Sequence, residues 1–170
     1  MNMLRLNLGC GGDILDGYTN IDREARGCRV VKADFRNLGG MFQPGSVHEV
    51  RMIHSFGYLR PWEADEVLVA IFNVLKPGGQ LIMELPDLDK IVSGLYTGSQ
   101  SRGELVRAIY GYGHDDIAGR VAYPPYCLGW GGNELVHLLG KIGFVNITIK
   151  SPQTHGQREW RDTRIEAARP

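Results

Sequence analysis

The sequence has few cysteines and no long apolar run. Its three cysteines, Cys10, Cys28 and Cys127, are far apart and form no Cys-x-x-Cys pair, so neither a zinc site nor a disulfide framework is indicated. We therefore expect reduced thiols, no bound metal and a cytoplasmic location. No apolar stretch approaches the roughly 20 residues that a membrane helix needs, and residues 1–8 are too short and polar for a signal peptide, so we expect no membrane association.

The chain also lacks an excess of charge of either sign, because 19 Lys and Arg balance 19 Asp and Glu. A net charge of zero argues against a protein that binds nucleic acid mainly through bulk charge. The phosphate loop Gly-x-x-x-x-Gly-Lys-Ser/Thr, the nucleophile elbow Gly-x-Ser-x-Gly and the zinc pair His-x-x-x-His are absent too. At 170 residues, the chain is expected to form one domain over residues 1–170.

The most informative segment that is present is the run from Leu4 to Asp13. Alternating leucines predict a strand that ends at Leu8, and the sequence Gly9-Cys10-Gly11-Gly12 predicts a turn after it. A second apolar stretch, Tyr18–Asp22, ends in an acid. Glycines let a ligand approach the backbone, and a carboxylate at the end of the next strand can accept hydrogen bonds from both ribose hydroxyls. The pattern is typical of a nucleotide site.

A dinucleotide oxidoreductase is the nearest alternative for this segment. Its fingerprint, Gly-x-Gly-x-x-Gly, opens a helix and is followed by an acid roughly 20 residues later. Here the position of the third glycine is Ile14, and Asp22 comes only 13 residues after Gly9, which leaves almost no room for a helix. The fit is poor.

Strands and helices alternate along the rest of the chain. A helix is predicted from Pro61, with an apolar face of Ala64, Val67, Leu68, Ile71 and Leu75, up to a turn at residues 76–79. A second helix is predicted with Asn133 as its N-cap and an apolar face of Leu135, Leu138, Leu139 and Ile142. Residues 104–109 are a weaker helix candidate in an otherwise irregular stretch. Further strands are predicted at residues 29–34, 46–53, 80–85, 144–150 and 159–167.

This alternation favours an α/β fold with a mostly parallel sheet that is covered on both faces. The last two strands have no helix between them, so they must run antiparallel, because a parallel return needs a crossover of about a dozen residues.

In combination, these motifs resemble those of class I S-adenosylmethionine-dependent methyltransferases, of the small and poorly characterised type. The matching segments are residues 6–12, Asn20-Ile21-Asp22, Ala33-Asp34-Phe35, residues 75–81, Leu85-Pro86-Asp87 and Gly143-Phe144. The resemblance implies a Rossmann-like three-layer sandwich with strand order 3-2-1-4-5-7-6 and an antiparallel strand 7. It also implies S-adenosylmethionine as cofactor, with S-adenosylhomocysteine as product. The net charge of zero, rather than the resemblance, favours a small molecule or glycan over nucleic acid as the methyl acceptor.

The resemblance assigns roles to individual residues. Gly9 and Gly11 would approach the amino-acid part of the cofactor, Asp22 would hold the ribose with Arg23 beside it, and Asp34 and Phe35 would frame the adenine. The full set of expected cofactor-binding residues is Leu8, Gly9, Cys10, Gly11, Asp22, Arg23, Asp34, Phe35, His54, Ser55 and Phe56. The sequence departs from the family at Asn7, where an acid is usual, at Asp13, where a third glycine is usual, and in the missing helix after the glycine turn.

His54 follows the predicted fourth strand and is the candidate general base, because imidazole titrates near neutral pH. A packing role for His54 is the alternative.

Two further groups of residues have more than one possible role. The aromatic residues of the irregular region at about 96–131 either cap a substrate or pin the loop to the core; they are Tyr110, Tyr112, Tyr123, Tyr126 and Trp130. The arginines near the end, Arg158, Arg161 and Arg164, form an anion site or, more often, a solvated face of an edge hairpin.

A hypothesis of a different class is a non-catalytic module that binds the cofactor or a partner protein, because the chain is short for this family and leaves little room for a substrate domain. The sequence does not determine the oligomeric state.

Overall fold

A seven-stranded sheet is the framework of the protein, in a computed structural model that describes residues 3–24, 27–111 and 125–170. In chain order, its strands are β1 (Arg5–Leu8), β2 (Thr19–Asp22), β3 (Val30–Lys32), β4 (Val47–Ile53), β5 (Leu75–Pro86), β6 (Val145–Lys150) and β7 (Asp162–Ala168).

The strand order is β3-β2-β1-β4-β5-β7-β6. Strands β1 to β5 pair in parallel, whereas β7 runs antiparallel to both β5 and β6. The predicted order and the antiparallel last pair are therefore confirmed. With this topology the carboxyl ends of β1, β2 and β4 meet at one edge of the sheet.

The helices are α1 (Leu38–Met41), α2 (Pro61–Val74), α3 (Leu88–Thr97), α4 (Arg102–Tyr110) and α5 (Gly132–Ile142). The predicted apolar face of α2 is confirmed for Ala64, Val67, Leu68 and Ile71, which are at most 1% exposed. Leu75, the fifth predicted member, is buried too, but it is the first residue of β5. Burying each large aliphatic side chain contributes about 1.5–3 kcal/mol, so this face anchors α2 on the sheet. Within the described ranges, no helix has the length and apolar character needed to cross a bilayer.

The start of α5 corrects one prediction: its N-cap is Gly131, not Asn133, which lies inside the helix. A Cβ on Gly131 would lie 2.9 Å from Oδ2 of Asp89, and one on Gly132 would lie 2.9 Å from Oδ2 of Asp87. The helix therefore begins at two glycines because its first turn packs directly against the start of α3.

Strand β5 starts earlier than the predicted residue 80, because the segment before it also pairs with β4. Val47 is opposite Leu75 and Glu49 is opposite Gln80, so residues 76–79 form an outward bulge inside the strand. Gly78 has a φ of +76°, which suits glycine and lets the bulge turn.

Two helices occupy the stretch in which the sequence pattern is irregular. The weak prediction at 104–109 is confirmed by α4, whereas α3 was not predicted. Leu88, Ile91, Val92 and Leu95 of α3 recur at helical spacing, but only Ile91 and Gly94 of this helix are buried, so burial does not mark its ends. Its ends are marked instead by Asp87, whose side chain accepts a hydrogen bond from the backbone N–H of Asp89, and by Gly98 in the left-handed conformation.

Candidate functional site

A cavity of about 410 Å³ opens at the carboxyl ends of β1, β2 and β4. Its size is in the range of small-molecule sites, and its position is where open α/β sheets bind ligands. Of the predicted cofactor-binding residues, six line it: Gly9, Asp22, Arg23, Asp34, Phe35 and Ser55. The sequence did not single out the other lining residues, Glu24, Arg36, Tyr58, Leu59, Arg60, Glu63 and Cys127.

The glycine turn lies at one wall of the cavity, against the end of β4. Gly9 has a φ of +64°, and a Cβ there would lie 2.4 Å from the Cβ of Ser55. The hydroxyl of Ser55 donates a 2.8 Å hydrogen bond to the carbonyl of Leu8, which fixes the two strand ends side by side. Only glycine fits at this position.

Residues 9–18 connect β1 to β2 without a helix, as the sequence predicts. Two asparagines brace this loop instead. Nδ2 of Asn7 donates to the carbonyl of Asp13 (2.8 Å) and to Oδ1 of Asn20 (2.9 Å), and Asn20 also exchanges two 3.0 Å hydrogen bonds with the backbone of Leu15. Asn7, one of the departures from the methyltransferase pattern, thus supplies the donor that a loop without a helix needs.

The carboxylate of Asp22 lies at the end of β2 and is 8% exposed. Oδ2 accepts a hydrogen bond from the N–H of Gly11 and Oδ1 accepts one from the N–H of Glu24, both at 2.8 Å. Each oxygen accepts one bond and has capacity for a second. The carboxylate is therefore fixed by the backbone and can still accept two hydroxyl groups.

Asp34 is also in the cavity wall, but its carboxylate is already occupied. Oδ1 accepts from the N–H and Nε of Arg36 (both 3.0 Å), and Oδ2 accepts from Nε (3.0 Å) and Nη2 (2.5 Å) of the same residue. Nη1 of Arg36 donates to Glu63 at 2.8 Å. These hydrogen bonds from Arg36 hold the pKa of the Asp34 carboxyl below its usual range. Unlike Asp22, Asp34 has no acceptor position left for a ligand unless Arg36 moves.

For S-adenosylhomocysteine, the ligand that the family resemblance implies, we therefore expect Asp34→Asn to weaken binding less than about threefold, because the carboxylate it removes is saturated by Arg36 rather than free for a ligand. Isothermal titration calorimetry measures the change, with Asp22→Asn as the matched variant at a carboxylate that does have free acceptor positions. A loss of tenfold or more in Asp34→Asn would mean that Arg36 releases Asp34 when the ligand binds.

Several residues predicted to bind the cofactor do not line this cavity. Leu8, Cys10 and Phe56 are buried and do not line the cavity; Phe56 packs on Trp130 with ring centroids 5.2 Å apart. Burial, with the charge of Asp22 second, raises the pKa of the Cys10 thiol to about 11, so Cys10 is not a nucleophile at neutral pH. Gly11 is also outside the lining, and its N–H bonds to Asp22 instead.

His54 is one residue beyond the cavity lining. Its side chain is 13% exposed, and its Nε2 lies 3.0 Å from Oδ2 of Asp162, the first residue of β7. Its ring meets that of His155 edge to face, with centroids 5.2 Å apart. The structure thus brings His54 together with Asp162 of β7 and His155 of the segment before β7, although about 100 residues of sequence separate them from His54.

The aromatic residues of the irregular region have different environments. Trp130 is 5% exposed in the core, which confirms a packing role, and Tyr110 is 57% exposed. Tyr126 contacts Tyr58 at the cavity, with centroids 4.8 Å apart. The other two, Tyr112 and Tyr123, lie outside the described residues.

The interpretation of the arginines near the end as a solvated face is wrong for two of them. Arg161, the residue before β7, is 3% exposed. Arg164 is 4% exposed because β7 lies between β5 and β6 rather than at the sheet edge. Nη1 of Arg164 donates to Oε1 of Glu84 at 2.7 Å, and Glu84 is fully buried. Arg158 is half-buried.

Four of the cavity residues that the sequence analysis missed, Tyr58, Leu59, Arg60 and Glu63, lie around the start of one helix. Pro61 correctly marks the start of α2, so the residues just before it had to lie between the end of β4 and the first turn of that helix. Arg60 and Glu63 flank this start, and Oε2 of Glu63 accepts the N–H of Arg60 at 2.9 Å. The start of α2 beside the end of β4 was enough to predict Arg60 and Glu63 as cavity residues.

No protein-family model matches the sequence, and no curated protein matches it either. Solved structures do match its fold. A methyltransferase from Archaeoglobus fulgidus that depends on S-adenosylmethionine (SAM) has a TM-score of 0.67 at 14% identity, over 98% of this chain and 86% of the other. A SAM-dependent methyltransferase from Methanosarcina mazei has a TM-score of 0.64 at 18% identity, over 99% and 93%.

A third neighbour is phosphoethanolamine N-methyltransferase 2 of Haemonchus contortus, solved with phosphomonomethylethanolamine and S-adenosylhomocysteine. Its TM-score is 0.58 at 14% identity, over 100% of this chain and 49% of that one. At these identities the likeness establishes the fold.

Proposed function

Because the chain has the fold of the class I SAM-dependent methyltransferases, we propose that it transfers a methyl group from SAM to an acceptor. One observation carries the proposal: the cavity at the carboxyl ends of the strands contains a buried carboxylate, Asp22, with one free acceptor position on each oxygen. A pair of ribose hydroxyls is the complement of such a group.

The residues of the cavity support distinct roles in holding the donor. Gly9 lets the ligand approach the backbone, Asp22 accepts from the ribose, and Phe35 offers a ring face to the adenine. The Asp34–Arg36 ion pair bounds the part of the cavity in which we place the adenine. The donor brings a methyl group already activated on a sulfonium, so the contribution of the protein is to align the acceptor and to exclude water.

The acceptor we propose is a small molecule or glycan. The net charge of zero disfavours a nucleic acid, and the cavity has the volume of a small-molecule site. Free thiols at Cys10, Cys28 and Cys127 support a cytoplasmic location. We also propose that residues 1–170 act as a single domain.

Incubation of the purified protein with [methyl-³H]SAM and a cell extract tests this function. We expect saturable binding of SAM and transfer of tritium to an acceptor in the extract. Binding without any transfer would favour the non-catalytic module, and the absence of SAM binding would overturn the proposal. A boiled sample of the protein controls for methyltransferases of the extract.

A further inference from the structure

A buried carboxylate without a hydrogen bond lies behind the proposed site. Asp162 is fully buried, and neither of its carboxylate oxygens has a hydrogen bond with a described residue. Nε of Arg161 is 3.1 Å from Oδ1, which balances the charge. Burying a carboxylate is costly, and a group whose hydrogen-bonding capacity is unused needs an explanation.

The second group that faces this carboxylate is His54. Its Nε2 is also buried and is 3.0 Å from Oδ2 of Asp162, within hydrogen-bonding distance although the ring is not aligned for a linear bond. The other ring nitrogen, Nδ1, has no hydrogen bond with any described residue. A small rotation of the imidazole would pair Nε2 with Asp162 and leave Nδ1 available.

The backbone of His54 is held in an unfavourable conformation at this point. Its φ is +55°, one of two positive values among non-glycine residues in the described ranges. Such a conformation costs about 1–3 kcal/mol and persists where the surroundings impose it, often at functional sites. The N–H of His54 donates a 2.7 Å hydrogen bond to the carbonyl of Glu84, which holds the backbone of His54 at the end of β4.

His155 and Arg158 are further titratable or charged groups near His54. His155 meets its ring edge to face, and Nε2 of His155 is 3.7 Å from Oδ2 of Asp13 in the glycine loop. Burial, followed by the charge of Arg158, lowers the pKa of His155, so His155 adds no positive charge beside His54 at neutral pH. The described residues contain no group of three side chains suited to a metal, so a shared metal does not explain the cluster.

We propose that Asp162 is a positioning residue that holds His54 with its proton on Nε2, so that Nδ1 acts as the base for a hydroxyl acceptor. This inference rests on the proposed methyl transfer. Thiolates, carboxylates and neutral amines attack a sulfonium without prior loss of a proton, whereas a hydroxyl is a weak nucleophile until its proton leaves. A carboxylate-oriented histidine beside the site therefore fits O-methylation.

In the proposed step, the acceptor oxygen forms a bond to the methyl carbon and the carbon–sulfur bond breaks, with its electron pair remaining on sulfur. The O–H proton passes to Nδ1 of His54, and the resulting imidazolium is stabilised by the negative charge of Asp162. The imidazolium then releases the proton to water. The products are a methyl ether and S-adenosylhomocysteine, and no oxidant or other reactant is needed.

Two variants test the proposal in the tritium-transfer assay. Asp162→Asn keeps the shape of the side chain and is expected to lower the transfer rate at least about 100-fold, with SAM binding unchanged. His54→Gly suits the positive φ, and we expect added imidazole to restore part of its lost rate. His137→Gln, a histidine of α5, is the matched control and should keep the full rate.

The outcomes separate the two proposals. Transfer by Asp162→Asn within threefold of the unmodified protein would overturn the role of Asp162, while the methyl transfer itself would stand. If the unmodified protein binds SAM but transfers nothing, the proposed function fails and this inference falls with it.

A second measurement does not depend on activity. In ¹⁵N spectra of histidine-labelled protein, the signal missing from His54→Gly identifies His54, and we expect its Nε2 to carry the proton at neutral pH. Asp162→Asn should abolish this preference. A proton on Nδ1 in the unmodified protein would overturn the proposal.

Discussion

Replacement of Arg164 by alanine is expected to destabilise the protein by about 3–5 kcal/mol, because it leaves the Glu84 carboxylate buried without its charge partner. Glu84 is fully buried, and Nη1 of Arg164 lies 2.7 Å from its Oε1. The same carboxylate accepts hydrogen bonds from the N–H groups of Gln153 and Thr154 at 2.9–3.2 Å. The ion pair thus ties β5, β7 and the loop between β6 and β7 together.

Urea denaturation measures this loss as a lower midpoint. Lys150→Ala is the matched control, because it removes another ion pair on the neighbouring strand, with Glu166, from a side chain that is 46% exposed. An exposed pair contributes at most about 1 kcal/mol, so the two variants should differ clearly. Equal effects would show that the Glu84–Arg164 pair is not held out of solvent.

The same ion pair gives the stability an expected dependence on pH. Burial alone would raise the pKa of Glu84, but the N–H of Gln153, Arg164 and the N–H of Thr154 together hold it below its usual range. A carboxyl group with a lowered folded-state pKa stabilises the fold fully above its unfolded pKa, about 4.3 for Glu, and loses this contribution as the pH falls through the folded value. The stability difference between the unmodified protein and Glu84→Gln should therefore shrink in acid.

Replacement of Asp22 by alanine is expected to weaken SAM and S-adenosylhomocysteine binding by one to two orders of magnitude, roughly 1.5–3 kcal/mol for charged hydrogen bonds. The variant loses both free acceptor positions and the hydrogen bond that holds the N–H of Gly11. Calorimetric titration with S-adenosylhomocysteine measures the affinity, and circular dichroism checks that the fold is intact.

Asp16→Ala is the matched control for Asp22→Ala. Asp16 lies in the loop that leads into β2, but its side chain is 97% exposed and its ion-pair partner is Arg29, outside the cavity lining. It should bind the ligand as the unmodified protein does. Unchanged affinity in Asp22→Ala, with the fold intact, would refute the assignment of the ribose site and with it the proposed use of SAM.

Much of the fold and half of the proposed cofactor site followed from local sequence patterns. Strand alternation, the glycine turn and the proline-led helix are determined by neighbours in the chain, and parallel strands bring their carboxyl ends to one edge. For this reason Gly9 and Asp22 line one cavity, whereas Phe35, which lines it too, was assigned to the site only by the family resemblance. Helix α3 was not predicted, although its apolar residues recur at helical spacing and only two of its residues are buried.

The tertiary structure alone decided which polar groups are paired. Asp22 and Asp34 are both acids near strand ends, yet Arg36 occupies the acceptor positions of Asp34 and none of those of Asp22. Side-chain pairing depends on distance in the folded structure, which the sequence pattern does not give. For the same reason, Arg164 is buried on Glu84, 80 residues away, and Asp162 faces His54. The sequence by itself thus determined where strands, turns and the nucleotide-type site lie, since these depend on local periodicity. Only the folded sheet decided which charges are satisfied and which remain available for chemistry, because that depends on contacts between distant segments.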